Sequence, residues 1–120
     1  MISTDFAQAF SSEWIASWNS HDLDRILSHY TDDFSIKTPM ALRLVPESGG
    51  IMRGKEEVRK YWTIGLEKIP DLRFELLDML VGIDGITLYY INTATNRKTA
   101  EVMTFDAALK VCKVEAYYTG

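Results

Sequence analysis

The hydrophobic residues of this chain repeat with a helical period in its first half and with a strand period in its second half. Phe6, Phe10, Trp14 and Trp18 recur every four residues, so they share one face of a helix. The preceding segment 3–5, Ser-Thr-Asp, offers side chains that can cap this helix. Helices followed by strands favour an α+β fold over an alternating α/β fold.

Two further helices are predicted before Pro70. Asp22 can cap a short second helix, and a third helix begins after Gly54 and is ended by Pro70. The apolar stripe of the second helix is Leu23, Ile26, Leu27 and Tyr30, and that of the third is Val58, Tyr61, Trp62, Gly65, Leu66 and Ile69.

Strand patterns follow Pro70. The first segment changes phase at Leu76 and Leu77, which predicts a β-bulge. An earlier segment, Phe34 to Thr38, also alternates, and we expect it to join the same sheet. The four later segments, expected to form an antiparallel meander, are residues 72–81, 86–94, 99–107 and 111–119.

The segment from Pro39 to Arg53 carries no clear period. A loop of about fifteen residues is long for a simple connection and is often functional or mobile. It contains Pro46, Gly49 and Gly50 among several apolar residues. Two interpretations stay open: a connection with partly buried apolar residues, or a lid over a pocket.

Composition narrows the classes of function. A chain of 120 residues without repeats or linkers predicts one domain, 1–120. A net charge of −4 with scattered basic residues argues against nucleic acid as a partner. No stretch approaches the roughly 18 apolar residues of a membrane span, no basic cluster precedes an apolar run at the N-terminus, and Cys112 is the only cysteine. We therefore expect a cytoplasmic protein without membrane contact.

No cofactor or metal site is predicted. The two histidines, His21 and His29, have no ligand spacing, and we expect both to lie in polar, solvent-facing positions, with a short reach from His29 to a pocket left open. The glycines at 49, 50 and 54 lack the strand-to-helix context of a phosphate-binding loop.

The order of four segments resembles a known superfamily. After the first helix come HDLDRILSHYTDDFSIKTP, RGKEEVRKYWTIGL, EVMTFD and VEAYY, an order similar to that of the NTF2-like superfamily, and most similar to its branch of ketosteroid isomerases and SnoaL-like polyketide cyclases. The resemblance runs from about Phe6 to Tyr118. It implies a cystatin-like cone: three N-terminal-half helices packed on a strongly curved, mainly antiparallel mixed sheet around an apolar pocket. Many members are dimers.

The resemblance also places individual residues. The catalytic tyrosine of the isomerases falls at Trp14, and their general-base aspartate at Thr38, so two of the three isomerase groups are missing. The neutral aspartate of their oxyanion hole falls at Glu101, which keeps a carboxyl group there. Tyr30 and Trp62 match pocket-side tyrosines. Because threonine is no competent base near neutral pH, isomerase activity of the standard kind is disfavoured.

Strand alternation draws attention to Glu101 independently of any family. Glu101, Met103 and Phe105 share the more apolar face of their strand, where an unpaired charge is costly to bury. Either Glu101 is a pocket acid with a raised pKa, or its carboxyl group reaches water at a pocket mouth or dimer edge. We predict Glu101 as the catalytic residue. The predicted ligand-binding residues are Trp14, Trp18, Tyr30, Thr38, Trp62, Met103, Phe105 and Tyr118.

Three functions remain open at this point. The first is an acid/base enzyme, a cyclase, dehydratase or isomerase acting on a small hydrophobic carbonyl compound. The second is a pocket that binds a small apolar molecule without chemistry. The third is an interaction module in which side chains fill the cavity. The outer face of the last strands mixes Val102 and Tyr117 with polar groups, as interfaces do, so we also expect a two-fold homodimer.

Overall fold

Four α-helices pack against one six-stranded sheet. The computed structural model describes all 120 residues. The helices are α1 (Thr4–Ser20), α2 (Leu23–Leu27), α3 (Pro39–Leu44) and α4 (Lys55–Lys68), with a short 3₁₀ turn at Pro46–Ser48. The strands are β1 (Tyr30–Lys37), β2 (Ile51–Arg53), β3 (Phe74–Val81), β4 (Gly85–Asn92), β5 (Arg97–Phe105) and β6 (Val111–Tyr118). The predicted α+β class is confirmed.

The sheet is mixed and mainly antiparallel, as expected. Its strand order is β2-β1-β6-β5-β4-β3. Only β1 and β6 run parallel, while the other neighbours are antiparallel. The register between β3 and β4 shifts between Leu76 and Asp78, which confirms the predicted bulge. Further shifts lie between β1 and β6 and between β5 and β6, and such irregularities bend and twist strands.

The helix boundaries follow local capping chemistry. The Ser3 side chain accepts a hydrogen bond from the Phe6 amide at 3.1 Å and caps α1. The Asp22 carboxylate caps α2 in the same way. Helix α4 begins directly after Gly54, whose φ of 81° suits glycine, and its last residue is Lys68. The three helices predicted from the sequence are therefore all present.

Two predictions about elements were wrong. Tyr30 belongs to β1 and not to the second helix, because its backbone pairs with Val111 of β6 and this pairing replaces a further helical turn. The segment 39–53 is not an irregular loop: it forms helix α3, the 3₁₀ turn and the edge strand β2, which raises the number of α-helices from three to four. Thr38 caps α3, with Pro39 in its first turn.

Most of the core lies between the inner face of the sheet and helices α1 and α4. One cluster joins 23 buried hydrophobic residues, among them Trp14 and Phe34 with no exposed surface. None of the four helices combines the length and the apolar composition that a membrane crossing requires. The cluster does not cover the whole inner face of the sheet, and a cavity borders one end of that face.

Candidate functional site

A cavity of about 550 Å³ lies between the inner face of the sheet and helices α1, α3 and α4. Twelve of its twenty lining residues are hydrophobic, and both the size and the lining are typical of sites for small organic molecules. Strands β4, β5 and β6 contribute inward-facing residues to this lining. The lining includes Trp18, Arg43, Tyr61, Trp62, Lys68, Tyr90, Arg97, Glu101 and Tyr118.

Glu101 is the only acidic residue of the lining. Its side chain is buried, with 8% of the residue exposed. The Tyr90 hydroxyl donates a hydrogen bond to its Oε1 at 2.5 Å. The other oxygen, Oε2, makes no hydrogen bond within the protein. Oε2 is therefore free to bind a ligand in the cavity.

The sheet register explains why Tyr90 and Glu101 meet. Glu101 of β5 lies opposite Leu88 of β4, and Tyr90 lies opposite Thr99. Tyr90 is thus the diagonal neighbour of Glu101 on the inner face, a position that a long aromatic side chain reaches across. The pair is fixed by two strands in the middle of the sheet and not by a loop.

Burial raises the pKa of Glu101 from its ordinary value near 4.5 to about 7, and the hydrogen bond from Tyr90 opposes this rise only in part. Burial, together with the nearby carboxyl group, raises the pKa of Tyr90 well above its usual value. Near neutral pH, Glu101 therefore exists in both protonation states while Tyr90 stays protonated. A group with such a pKa can both donate and accept a proton under physiological conditions.

Three of the eight predicted ligand-binding residues lie on the cavity wall: Trp18, Trp62 and Tyr118. The Trp18 and Trp62 rings meet edge to face, with 4.9 Å between their centroids. Tyr118 lies at the end of β6, and its hydroxyl accepts a hydrogen bond from Thr38 at 3.1 Å. The Tyr118 proton is therefore free to point towards a ligand.

Trp14, Tyr30 and Thr38 lie behind the wall and not on it. The Trp14 indole donates a hydrogen bond to the Tyr30 hydroxyl at 2.8 Å, and both residues are buried in the core. The Thr38 hydroxyl accepts a hydrogen bond from the Met40 amide at 3.2 Å and so caps α3. We expected these three residues to touch a ligand, but the polar group of each side chain is hydrogen-bonded to another residue of the protein.

Met103 and Phe105 also lie outside the cavity, although they share the face of Glu101 as predicted. Met103 is fully buried, and the Phe105 ring packs edge to face on Phe6 and Phe10, with centroids 5.6 and 4.9 Å apart. The first half of α1 fills this end of the inner face. Alternation predicted the correct face of β5 but not how far along the strand the cavity extends.

Neither histidine belongs to the cavity lining. The His21 ring bonds the Leu72 carbonyl through Nε2 at 2.8 Å. The His29 ring is half-buried and bonds Glu13 at 3.2 Å, and burial lowers its pKa. No group of three or more His, Cys, Asp or Glu side chains lies close enough together to hold a metal ion.

The sequence did not predict several lining residues, among them Arg43, Tyr61, Lys68, Tyr90 and Arg97. The alternation of Ile86, Leu88 and Tyr90 along β4 was a usable signal for Tyr90, but without the register it could not be paired with Glu101. Arg43 could not be placed because helix α3 was not predicted.

Comparison with known proteins identifies the family. A family model described as the SnoaL-like domain matches residues 12–116, which is most of the chain. No curated protein matches the sequence. A crystal structure of a SnoaL-like protein of unknown function from Burkholderia thailandensis E264 is 44% identical, with a TM-score of 0.93 and full coverage of both chains.

Two more distant structures share the fold. AclR, a proposed hydroxylase from Streptomyces galilaeus, is 19% identical with a TM-score of 0.72, and the match covers 98% of this chain and 81% of AclR. A proposed isomerase of the SnoaL-like family from Agrobacterium tumefaciens C58 is 13% identical with a TM-score of 0.71, covering 95% of this chain and 97% of that protein. At these identities the likeness shows the fold alone.

Proposed function

This chain belongs to the SnoaL-like family, and we propose on that premise that it is an acid/base enzyme acting on a small hydrophobic carbonyl compound, as a cyclase, dehydratase or isomerase. One observation carries the proposal: an apolar cavity contains a single buried carboxyl group, Glu101, whose Oε1 is held by Tyr90 and whose Oε2 has no partner in the protein. Such a group in a cavity is what proton transfer to or from a ligand requires.

In the proposed mechanism, Glu101, Tyr90 and Tyr118 have separate roles. As a carboxylate, Glu101 takes a proton from the carbon beside the ligand carbonyl. The electron pair of that C–H bond forms a C=C double bond to the carbonyl carbon, and the π electron pair of the carbonyl moves to its oxygen, which gives an enolate. The Tyr118 hydroxyl, which accepts from Thr38, donates its own proton in a hydrogen bond to this oxygen. Tyr90 keeps the Glu101 carboxyl group oriented throughout. Return of the proton from Glu101 to another carbon of the conjugated enolate completes an isomerisation. In a cyclisation the enolate carbon instead attacks a second carbonyl carbon of the same ligand, whose π electron pair moves to its oxygen, and that oxygen takes the proton from Glu101. In a dehydration the enolate expels a β-hydroxyl group, which leaves as water with the proton from Glu101.

This assignment differs from that of the ketosteroid isomerases. The family resemblance places their base position at Thr38, whose hydroxyl caps α3, and their catalytic tyrosine position at Trp14, whose indole donates a hydrogen bond to Tyr30 in the core. Glu101 is the only remaining group of the cavity lining with a pKa suited to a general base near neutral pH. The proposed chemistry therefore depends on one carboxyl group and not on a carboxylate pair.

The test uses a probe ketone with acidic protons beside its carbonyl, 2-tetralone. We expect the protein to accelerate the exchange of these protons for deuterium in D₂O, which proton NMR measures. The substitution Glu101→Gln should reduce the rate of the protein-catalysed exchange roughly a hundredfold. Glu75→Gln is the matched control, because Glu75 is an exposed glutamate on β3. Equal exchange by the wild type and Glu101→Gln would contradict the proposal.

Non-catalytic binding of an apolar molecule is the second candidate. Two observations favour it. Trp14 and Thr38 stand where the resemblance places the catalytic tyrosine and the general base of the isomerases, and the cavity lining is largely apolar. The same experiment separates the two functions. Saturable broadening of the 2-tetralone signals without accelerated exchange would favour a binding protein.

A further inference from the structure

The cavity lining carries positive charge although the whole protein is acidic. The chain has a net charge of −4, yet the lining contains three cationic residues, Arg43, Lys68 and Arg97, and only one acidic residue, Glu101. Because burial keeps much of Glu101 protonated near neutral pH, no carboxylate of the lining balances the cationic charges. Arg43 and Lys68 are exposed and Arg97 is half-buried, so these charges border the cavity where it meets solvent. The local field therefore has the opposite sign to that of the molecule as a whole.

These three cations have no anionic partner in the protein. The five ion pairs of the structure use other residues, and no side-chain hydrogen bond of Arg43, Lys68 or Arg97 is present. Arg97 lies 5.8 Å from the centroid of the Tyr118 ring, and the charges of Arg97 and Arg43 both act on the Tyr118 hydroxyl. Arg43 and Arg97 thus approach one side of the cavity from two different elements, α3 and β5.

The spacing along β5 separates this positive charge from the carboxyl group. Arg97, Thr99 and Glu101 alternate towards the inner face, and all three line the cavity. Four residues of strand place the Arg97 and Glu101 backbones roughly 13 Å apart. Aromatic side chains, including Trp18 and Trp62, form the wall of the same cavity. A ligand that uses both ends must be apolar in the middle and polar at two separated points.

We propose that the cavity binds a hydrophobic organic acid, whose carboxylate is held by Arg43 and Arg97 and whose carbonyl or hydroxyl oxygen is directed to Glu101. This inference rests on the proposed function, because it places the ligand in the same cavity. It further specifies that the ligand carries a negative charge. Arginine pairs favourably with carboxylates because its planar guanidinium offers two parallel donors. Lys68 adds a third positive charge to the lining.

The test compares two probes of the same shape, 6-hydroxy-2-naphthoate and its neutral amide, 6-hydroxy-2-naphthamide. We expect the wild type to bind the acid about tenfold more tightly than the amide at low salt, and added NaCl to weaken binding of the acid only. The double variant Arg43→Gln/Arg97→Gln should bind both probes equally. Arg53→Gln is the matched control, since Arg53 is an exposed arginine outside this cavity.

The outcomes separate this inference from the proposed function. Equal binding of acid and amide by the wild type, an unchanged preference in the double variant, or binding of neither probe would each overturn it. Thermal unfolding shows whether the double variant is folded, and the salt dependence of the wild type tests the same point without any substitution. The rate of deuterium exchange into the neutral ketone 2-tetralone tests Glu101 separately. Accelerated exchange would therefore still support the proposed function if the protein showed no preference for the organic acid.

Discussion

At the scale of single residues, Glu101 is placed where the fold makes ionisation costly. Its neighbours across the sheet are Leu88 and Ala116, and only Tyr90 gives it a hydrogen bond. In the unfolded chain the same carboxyl group is solvated and ionises near its ordinary pKa. Glu101 thus lowers the stability of the protein near neutral pH, which agrees with the proposed role of this residue in function.

The first prediction concerns the pH dependence of stability. Because the pKa of Glu101 rises from 4.5 to about 7 on folding, the folded state binds more protons than the unfolded state between these values. The contribution of Glu101 to the free energy of unfolding therefore decreases as the pH rises from 4 to 8, by roughly 3 kcal/mol. Glu101→Gln removes this dependence and should be more stable than the wild type at pH 8, with little difference at pH 4.

Urea denaturation of both proteins across this pH range measures the effect. The Gln side chain can still accept the hydrogen bond from Tyr90, so the comparison isolates ionisation. Glu75→Gln, which changes an exposed glutamate, should show no such pH-dependent gain. A constant difference between wild type and Glu101→Gln from pH 4 to pH 8 would show that Glu101 ionises as freely in the folded protein as in the unfolded chain.

At the scale of elements, the sequence predicted the long elements and the short helix α2, but not α3 and β2. Helices α1 and α4 and strands β3 to β6 are long enough for a repeat to be visible, and α2 is marked by its cap residue Asp22. Helix α3 and strand β2 have six and three residues, too few for an apolar position to repeat several times along one face. They depend on pairing with β1 and on the cap by Thr38. For the same reason the sequence predicted Glu101 on the inner face but not Arg43 in the lining of the same cavity.

The second prediction tests the link between α3 and the site. Thr38 caps α3 and donates to Tyr118, so Thr38→Val removes two hydrogen bonds while keeping the shape of the side chain. We expect a loss of about 1–2 kcal/mol in the free energy of unfolding. Thr38→Ser keeps both bonds and should lose less than half as much. A Thr38→Val variant as stable as the wild type in urea denaturation would show that the cap contributes nothing.

At the scale of the whole molecule, the outer face of the sheet exposes large hydrophobic side chains. Leu80, Val102 and Tyr117 are 56%, 40% and 58% exposed. Leu80, Thr87 and Val102 lie opposite one another on successive strands, which makes one continuous row. Exposed apolar groups on a regular surface are typical of interaction sites. We therefore keep the expectation of a two-fold homodimer formed through this face.

The third prediction tests that assembly by sedimentation velocity. The wild type should sediment as a dimer at micromolar concentration, and Val102→Glu should shift it towards monomer, because a carboxylate is added beside Glu115 in each copy. Leu42→Glu is the control, since Leu42 is an exposed residue of α3 away from the outer face. A wild type that is monomeric at this concentration contradicts the prediction.

The proposed function requires that Glu101 is a cavity acid that titrates near neutral pH. Its most direct test is a carbon-detected NMR titration of the glutamate side-chain carboxyl carbons, with Glu101 assigned by its absence in Glu101→Gln. We predict that the Glu101 signal changes with a midpoint near pH 7, about 2 to 3 units above an exposed glutamate. A midpoint near 4.5, like that of a solvent-exposed carboxylate, would contradict the account and favour the non-catalytic binding function.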